Sequence, residues 1–158
     1  MTRLKNQGCD VRYYHDEVGY NYRLEGIQGA VLSVSLKYLP QWTRRRQEIG
    51  ERYLREIVNP LITMQVHPEN TESVFHLFVV WVEERDRFVR YMAEAGVECN
   101  LHYPVPCHLQ KAYRGLGYRE GDCPHAEALA RHCVTLPLFP EMYEEEIVRV
   151  IALCNAFR

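Results

Sequence analysis

The sequence predicts an α+β fold built on a small, mostly antiparallel sheet with helices. Three observations predict it: few candidate strands, long stretches of helical periodicity, and their order. Two helices, a strand, a helix, a short strand, further helices, a strand and a last helix run in separate groups rather than in strict alternation. The 158 residues are 47% hydrophobic and 25% charged, which suits a globular chain long enough to bury a core.

Across residues 24–39, Ile27, Val31, Val34 and Tyr38 recur at helical spacing. Pro40 disfavours helical backbone in the residue before it, so a break is expected at Leu39. A second helix is predicted over 41–58, with Trp42, Ile49, Tyr53 and Ile57 on one face and Asn59-Pro60 at its end. The continuous apolar run 74–82 suits a strand buried on both faces. Residues 83–95 form an amphipathic helix through Phe88, Met92 and Ala95, with Gly96 just past its C-terminus.

A short strand is expected over 97–101 and extended chain over 102–106, where two prolines exclude helix. A short helix follows at 109–116. Pro124 opens another, which carries Ala126, Leu129, Ala130 and Cys133. A strand at 134–138 and a helix at 144–157 complete the chain, the latter with the stripe Ile147, Val150, Ile151, Cys154 and Phe157. Its acidic first turn, Glu144-Glu145-Glu146, reads as solvated and favours the helix dipole. Residues 1–58 are read as an interface loop and long helices that need a surface outside this chain, and residues 59–158 as a small α+β domain.

Nineteen basic and 21 acidic residues leave a net charge of −2, with no long like-charge run, so nucleic acid is not the main partner. Arg44-Arg45-Arg46 reads as a solvated helix face. No stretch approaches the ~18 uninterrupted apolar residues of a membrane span. No apolar region follows the charges of residues 1–6, so no leader is read there. Six cysteines at scattered spacings fit reduced thiols and a cytoplasmic location. The polar start running straight into Tyr13-Tyr14-His15 suggests a truncated chain.

Three constellations could bear chemistry. Gly19-Tyr20-Asn21-Tyr22-Arg23 precedes a helix start. The Asn21 amide and the Arg23 fork could bind an anion there, although chemistry alone favours a capped glycine turn. His102-Tyr103-Pro104-Val105-Pro106-Cys107-His108 could present an imidazole and a phenol to a polar ligand, although an ordinary rigid loop is favoured on the same grounds. Cys99 with His102, Cys107 with His108, Cys123 with His125, and His132 with Cys133 lack the doubled two-to-four-residue spacing of zinc ligands, so no metal is expected. No Ser-His-Asp order and no phosphate-cradling glycine loop is present.

Taken together, the segments resemble the DegT/DnrJ/EryC1/StrS aminotransferase family. GYNYRLEGIQGAVL resembles its G-x-N-x-R…Q-A-A segment, and Leu4-Lys5-Asn6-Gln7-Gly8 its L-R-N-x-G. Leu36, Leu39, Trp42 and Arg46 continue the pattern. HYPVPCHLQKAY resembles H-Y-P-x-P-x-H-x-Q-x-A-Y, followed in family order by Gly121-Asp122-x-Pro124-x-Ala126-Glu127 and Leu136-Pro137-Leu138. The resemblance implies an aspartate-aminotransferase-like fold, with this chain corresponding to the C-terminal small domain and its connecting helices. It further implies pyridoxal phosphate, a homodimer with the active site at the subunit interface, and amino transfer from glutamate to a keto sugar carried on a nucleotide. Such enzymes serve deoxyamino sugar, polysaccharide or antibiotic biosynthesis.

Asn21 matches the residue that reaches the cofactor phosphate across the dimer. Tyr20, Arg23, His102 and Tyr103 match residues near the sugar or nucleotide. The family's Schiff-base lysine matches nothing here: Lys5, Lys37 and Lys111 are the only lysines, and none has its context. No catalytic residue is therefore assigned, and the chain alone is expected to be inert. A related sugar dehydratase, with histidine in the lysine's place, and a stand-alone dimerisation module remain the alternatives.

Overall fold

Phe78, Val80 and Val82 lie 0, 2 and 1% exposed in the middle of the sheet. They belong to β2 (Phe78–Val82), flanked by β1 (Ile62–Thr63) and β3 (Cys133–Leu136) in the antiparallel order β1-β2-β3. Ile62 pairs with Val82, Phe78 with Leu136, and Trp81 with Cys133. The computed structural model describes residues 2–11 and 13–158. The leaderless reading of residues 1–6 begins on Met1, outside the described residues. The helices are α1 (Thr2–Lys5), α2 (Gly26–Glu56), α3 (Arg85–Glu94), α4 (Pro124–His132) and α5 (Glu144–Ala156), with 3-10 turns at Cys107–Leu109 and Lys111–Leu116.

The chain forms two compact units, Met1–Pro40 and Gln41–Arg158. In the second, one sheet face is covered by apolar side chains from three helices. Ile49, Tyr53 and Ile57 come from or just after α2, Phe88 and Met92 from α3, and Ile147, Val150, Ile151 and Cys154 from α5, with Phe157 behind. Each such burial stabilises by roughly 1.5–3 kcal/mol. The α5 stripe expected from its spacing is buried throughout. Ile49, Tyr53 and Ile57 thus pack within the C-terminal unit.

Buried polar groups fasten the connections. The Tyr53 hydroxyl donates to the Pro137 carbonyl at 2.9 Å. Asn59 is 9% exposed; its amide donates to the Cys154 and Phe157 carbonyls at 2.8 and 2.7 Å, and its oxygen accepts the Leu61 N–H at 2.9 Å. The Arg46 guanidinium donates to the carbonyls of Phe75, His76 and Leu138 at 3.1–3.3 Å. Arg45 reaches the Met142 carbonyl at 3.2 Å. Arg45 and Arg46 are therefore structural donors and not the solvated face expected, because loop carbonyls outside the sheet need partners.

Other expectations also shift. α2 runs through Pro40 without the predicted break. A break would orphan up to four N–H and four C=O groups, whereas continuing forfeits only the bond from position 40 to the Leu36 carbonyl. β2 begins at Phe78 and not at 74, since Phe75 takes φ +44° and Arg46 occupies its carbonyl. Val79 and Trp81 are half-buried, so the strand is fully covered on one face only. The strand expected at 97–101 reduces to one bridge, Asn100 with Thr135. Val97 instead closes the end of α3, donating to Met92, where Gly96 sits at φ +77°. The helix expected at 109–116 is two 3-10 turns. β3 stops at Leu136, where Pro137 has no N–H for the ladder.

Gly50 sits in α2 where a Cβ would lie 2.6–2.8 Å from ring carbons of Phe75. That ring is 5% exposed and stacks against Phe78, so it has little room to move. Gly50→Ala should gain ~1 kcal/mol of helix propensity and lose about 1–3 kcal/mol to overpacking. A lower urea midpoint is expected, and a higher one would show that the ring yields.

Candidate functional site

The expected site residues fall into two groups, one in each unit. In the N-terminal unit the backbone of residues 20–22 is pinned to residues 4–7. Tyr20 N–H donates to the Leu4 carbonyl at 2.7 Å, Tyr22 N–H to Lys5 at 2.9 Å, and Gln7 N–H to Tyr20 at 2.9 Å. Asn6 and Asn21 form an isolated bridge. Behind them two glycines touch: a Cβ on Gly19 would lie 2.0 Å from the Gly8 nitrogen. The backbone approach that Gly19 permits is thus toward Gly8.

Side chains on this loop are exposed. Tyr20 and Tyr22 stack at 5.0 Å. Arg23 donates to the Asn6 side-chain oxygen at 3.1 Å, which holds its fork beside the loop. The Asn21 amide is spent on no other side chain among the described residues. The structure thus delivers a rigid backbone carrying an outward amide, a guanidinium and two phenols.

In the C-terminal unit, His102 and Tyr103 line an open cavity of about 980 Å³. Its floor is the uncovered sheet face, through Val79 and Cys133, and one side is α4, through Ala126, Leu129 and Ala130. Ala126 and Leu129 are exposed side chains facing this cavity. The buried Thr135 hydroxyl lies 2.9 Å from His102 Nδ1 and fixes the imidazole. The Tyr103 ring meets it edge-on at 5.3 Å, and the peptide joining the two residues is cis. The cavity lining includes no lysine, arginine, aspartate or glutamate. It suits an uncharged group with apolar faces and a few hydrogen-bonding positions.

A residue that the sequence reading quoted in a motif but gave no role holds the outer wall. Glu127, on α4, is 4% exposed. It accepts hydrogen bonds from His108 Nε2 at 3.0 Å, the Gly121 N–H at 2.9 Å and the Cys123 N–H at 3.3 Å. Its signal was present: Glu127 stands three positions before the buried Ala130, on the packed face of α4, where an acidic residue needs partners. Burial alone would raise its pKa. The donors from His108, Gly121 and Cys123 outweigh burial and hold the carboxyl below its ordinary value.

Burial pushes the Cys99 thiol up to about 11 and the Cys154 thiol up to about 12, far from the thiolate that attacks. Among the described residues no three His, Cys, Asp or Glu side chains are grouped to hold a metal ion. None of the described helices is long and apolar enough to cross a membrane.

The model of the DegT/DnrJ/EryC1/StrS aminotransferase family matches residues 1–155. The dTDP-3-amino-3,6-dideoxy-alpha-D-galactopyranose transaminase of Aneurinibacillus thermoaerophilus is 38% identical over 157 residues, 99% of this chain and 43% of that protein. The erythromycin biosynthesis sensory transduction protein EryC1 of Saccharopolyspora erythraea is 40% identical over 155 residues, 97% of this chain and 42% of that protein. DesV of S. venezuelae, solved with a ketimine intermediate, superposes at TM-score 0.91 with 36% identity, covering 97% of this chain and 42% of that one. The protein Spr1654 of Streptococcus pneumoniae in its PLP-form superposes at 0.84 with 28% identity, covering 98% of this chain and 41% of that one. The chain therefore spans about two-fifths of the length of these relatives.

Because the Glu127 carboxyl titrates lower folded than unfolded, its stabilising contribution is complete above its ordinary pKa of 4.5. It is lost as pH falls through the lower folded value. Unfolding measured from pH 6 down to pH 3 should show Glu127→Gln less stable than the native chain at pH 6. The two should converge as the native carboxyl is protonated. A gap that stays constant across this range would contradict the assignment.

Proposed function

The chain belongs to the DegT/DnrJ/EryC1/StrS aminotransferase family, and from that premise we propose that it works as the C-terminal part of a pyridoxal-phosphate-dependent nucleotide-sugar aminotransferase. The enzyme would act as a cytoplasmic homodimer, moving an amino group from glutamate to a keto sugar. The observation that supports this best is the joint one of a family match over residues 1–155 and His102 and Tyr103 together at the uncharged cavity. Relatives described as sugar transaminases favour amino transfer over dehydration.

The donor set fits the cofactor in part. The Asn21 amide is outward, uncommitted and backbone-fixed, as a contact to one phosphate oxygen requires. No residue here fits the covalent anchor: Lys5, Lys37 and Lys111 are all exposed, and none faces the cavity lining. When bound, the cofactor supplies the electron sink that amino transfer needs. This chain's own work is binding. Asn21 would donate to the phosphate across the dimer, and Tyr20 and Arg23 would lie near the sugar or nucleotide. His102, oriented by Thr135, and Tyr103 hold hydroxyls of the sugar whose apolar face rests on the cavity floor.

By itself the 158-residue chain should show no turnover with glutamate, pyridoxal phosphate and a nucleotide-linked keto sugar. Product formation at a steady rate would overturn that reading. In the longer enzyme, Asn21→Ala removes a charge-assisted hydrogen bond worth roughly 1.5–3 kcal/mol. Cofactor affinity should fall about tenfold to a hundredfold, while Lys37→Ala, on an exposed helix position, should change it little. Cofactor dissociation measured for both variants decides the matter, and native affinity in the Asn21 variant would sink the assignment.

A further inference from the structure

We infer that Glu127 is a positioning residue for substrate binding: it clasps the outer wall of the cavity, residues 108–123, and so sets the cavity's width. The inference rests on the reading of the cavity as the sugar site. The wall supplies Gln110, Tyr113, Leu116 and Tyr118 to the lining, yet every residue from 110 to 122 is exposed. No apolar side chain within that stretch anchors it to the core. One carboxylate ties both of its ends. Glu127 takes a donor from the start of the wall, His108, and two from its end, Gly121 and Cys123. The His108 and Glu127 side chains are only 8 and 5% exposed, so water competes little for these bonds.

The chemistry is specific to a carboxylate. All three of its partners donate, and an ionised carboxylate only accepts. His108 therefore presents Nε2–H to Glu127, and its ring stands edge-on to Tyr118 of the wall at 6.3 Å. All three donors reach Oε1, and Gly121 also reaches Oε2 at 3.1 Å. Glutamine keeps the size of Glu127 but removes the charge these bonds share, and its amide nitrogen in place of Oε2 would face the Gly121 N–H donor to donor. With the clasp loosened, the wall opens while α4 remains held by Arg85, which donates to the Ala130 carbonyl at 2.9 Å.

The test uses the trypsin sites in the wall, Lys111, Arg114 and Arg119, with cleavage after Arg23 as internal reference. Glu127→Gln should speed wall cleavage by about tenfold, the loss of one charge-assisted bond. His108→Ala should speed it less, and should add nothing in the Glu127→Gln background. In the longer enzyme the same variant should raise KM for the nucleotide sugar about tenfold with kcat largely kept. Unchanged wall cleavage would overturn the clasp. Faster cleavage with unchanged KM would overturn the positioning role. His102→Ala separates the two ideas: if it too leaves KM unchanged, the cavity is not the sugar site and the underlying reading fails, whatever the wall does.

Discussion

The C-terminal unit depends on the alternation of one strand. Phe78, Val80 and Val82 fill the core, while Val79 and Trp81 face the other way. A slip of one residue would exchange the two sets, burying an indole where Val80 now sits and emptying the cavity floor. The register is pinned from both sides, by Ile62 opposite Val82 and by Leu136 opposite Phe78. The same alternation that builds the core thus leaves the second face free for a ligand. Helices α2, α3 and α5 supply the side chains that cover one face, and α4 stands beside the other.

A three-stranded sheet with a two-residue edge strand leaves many loop carbonyls outside any ladder. The fold meets this with side chains reaching far along the chain. Arg46 collects three carbonyls from two loops, Asn59 joins the end of α2 to the end of α5, and Tyr53 reaches the chain just past β3. Glu127 does the converse for N–H groups at the cavity wall. Each of these is buried or half-buried, where an unmatched group costs about 1–3 kcal/mol. The connections are fixed by polar bonds, and the helices by apolar contact.

This division explains what the sequence disclosed. The stripes of α3 and α5 were legible because apolar spacing of 3.6 residues reports a packed face directly. The apolar face of α4 was legible as apolar, yet Ala126 and Leu129 line a cavity and not a core, a distinction spacing cannot make. Arg46 and Asn59 were opaque because their partners lie 29 to 98 positions away. Pro40 misled because the cost of ending a helix twice exceeds that of one lost bond. Asn21, His102 and Tyr103 were singled out by resemblance to a family. Spacing alone made them a turn and a loop.

The central claim is that two separate groups of residues, Asn21 on its pinned loop and His102 with Tyr103 at the cavity, serve one reaction. A crystal structure of the longer enzyme with pyridoxal phosphate and a nucleotide sugar tests it most directly. The account predicts the Asn21 amide within hydrogen-bond distance, about 2.7–3.2 Å, of a cofactor phosphate oxygen held by the partner subunit. It also predicts the sugar resting on Val79 and Leu129 with hydroxyls at His102 and Tyr103. A cavity filled by the enzyme's own side chains, with the sugar elsewhere and Asn21 facing solvent, would contradict it.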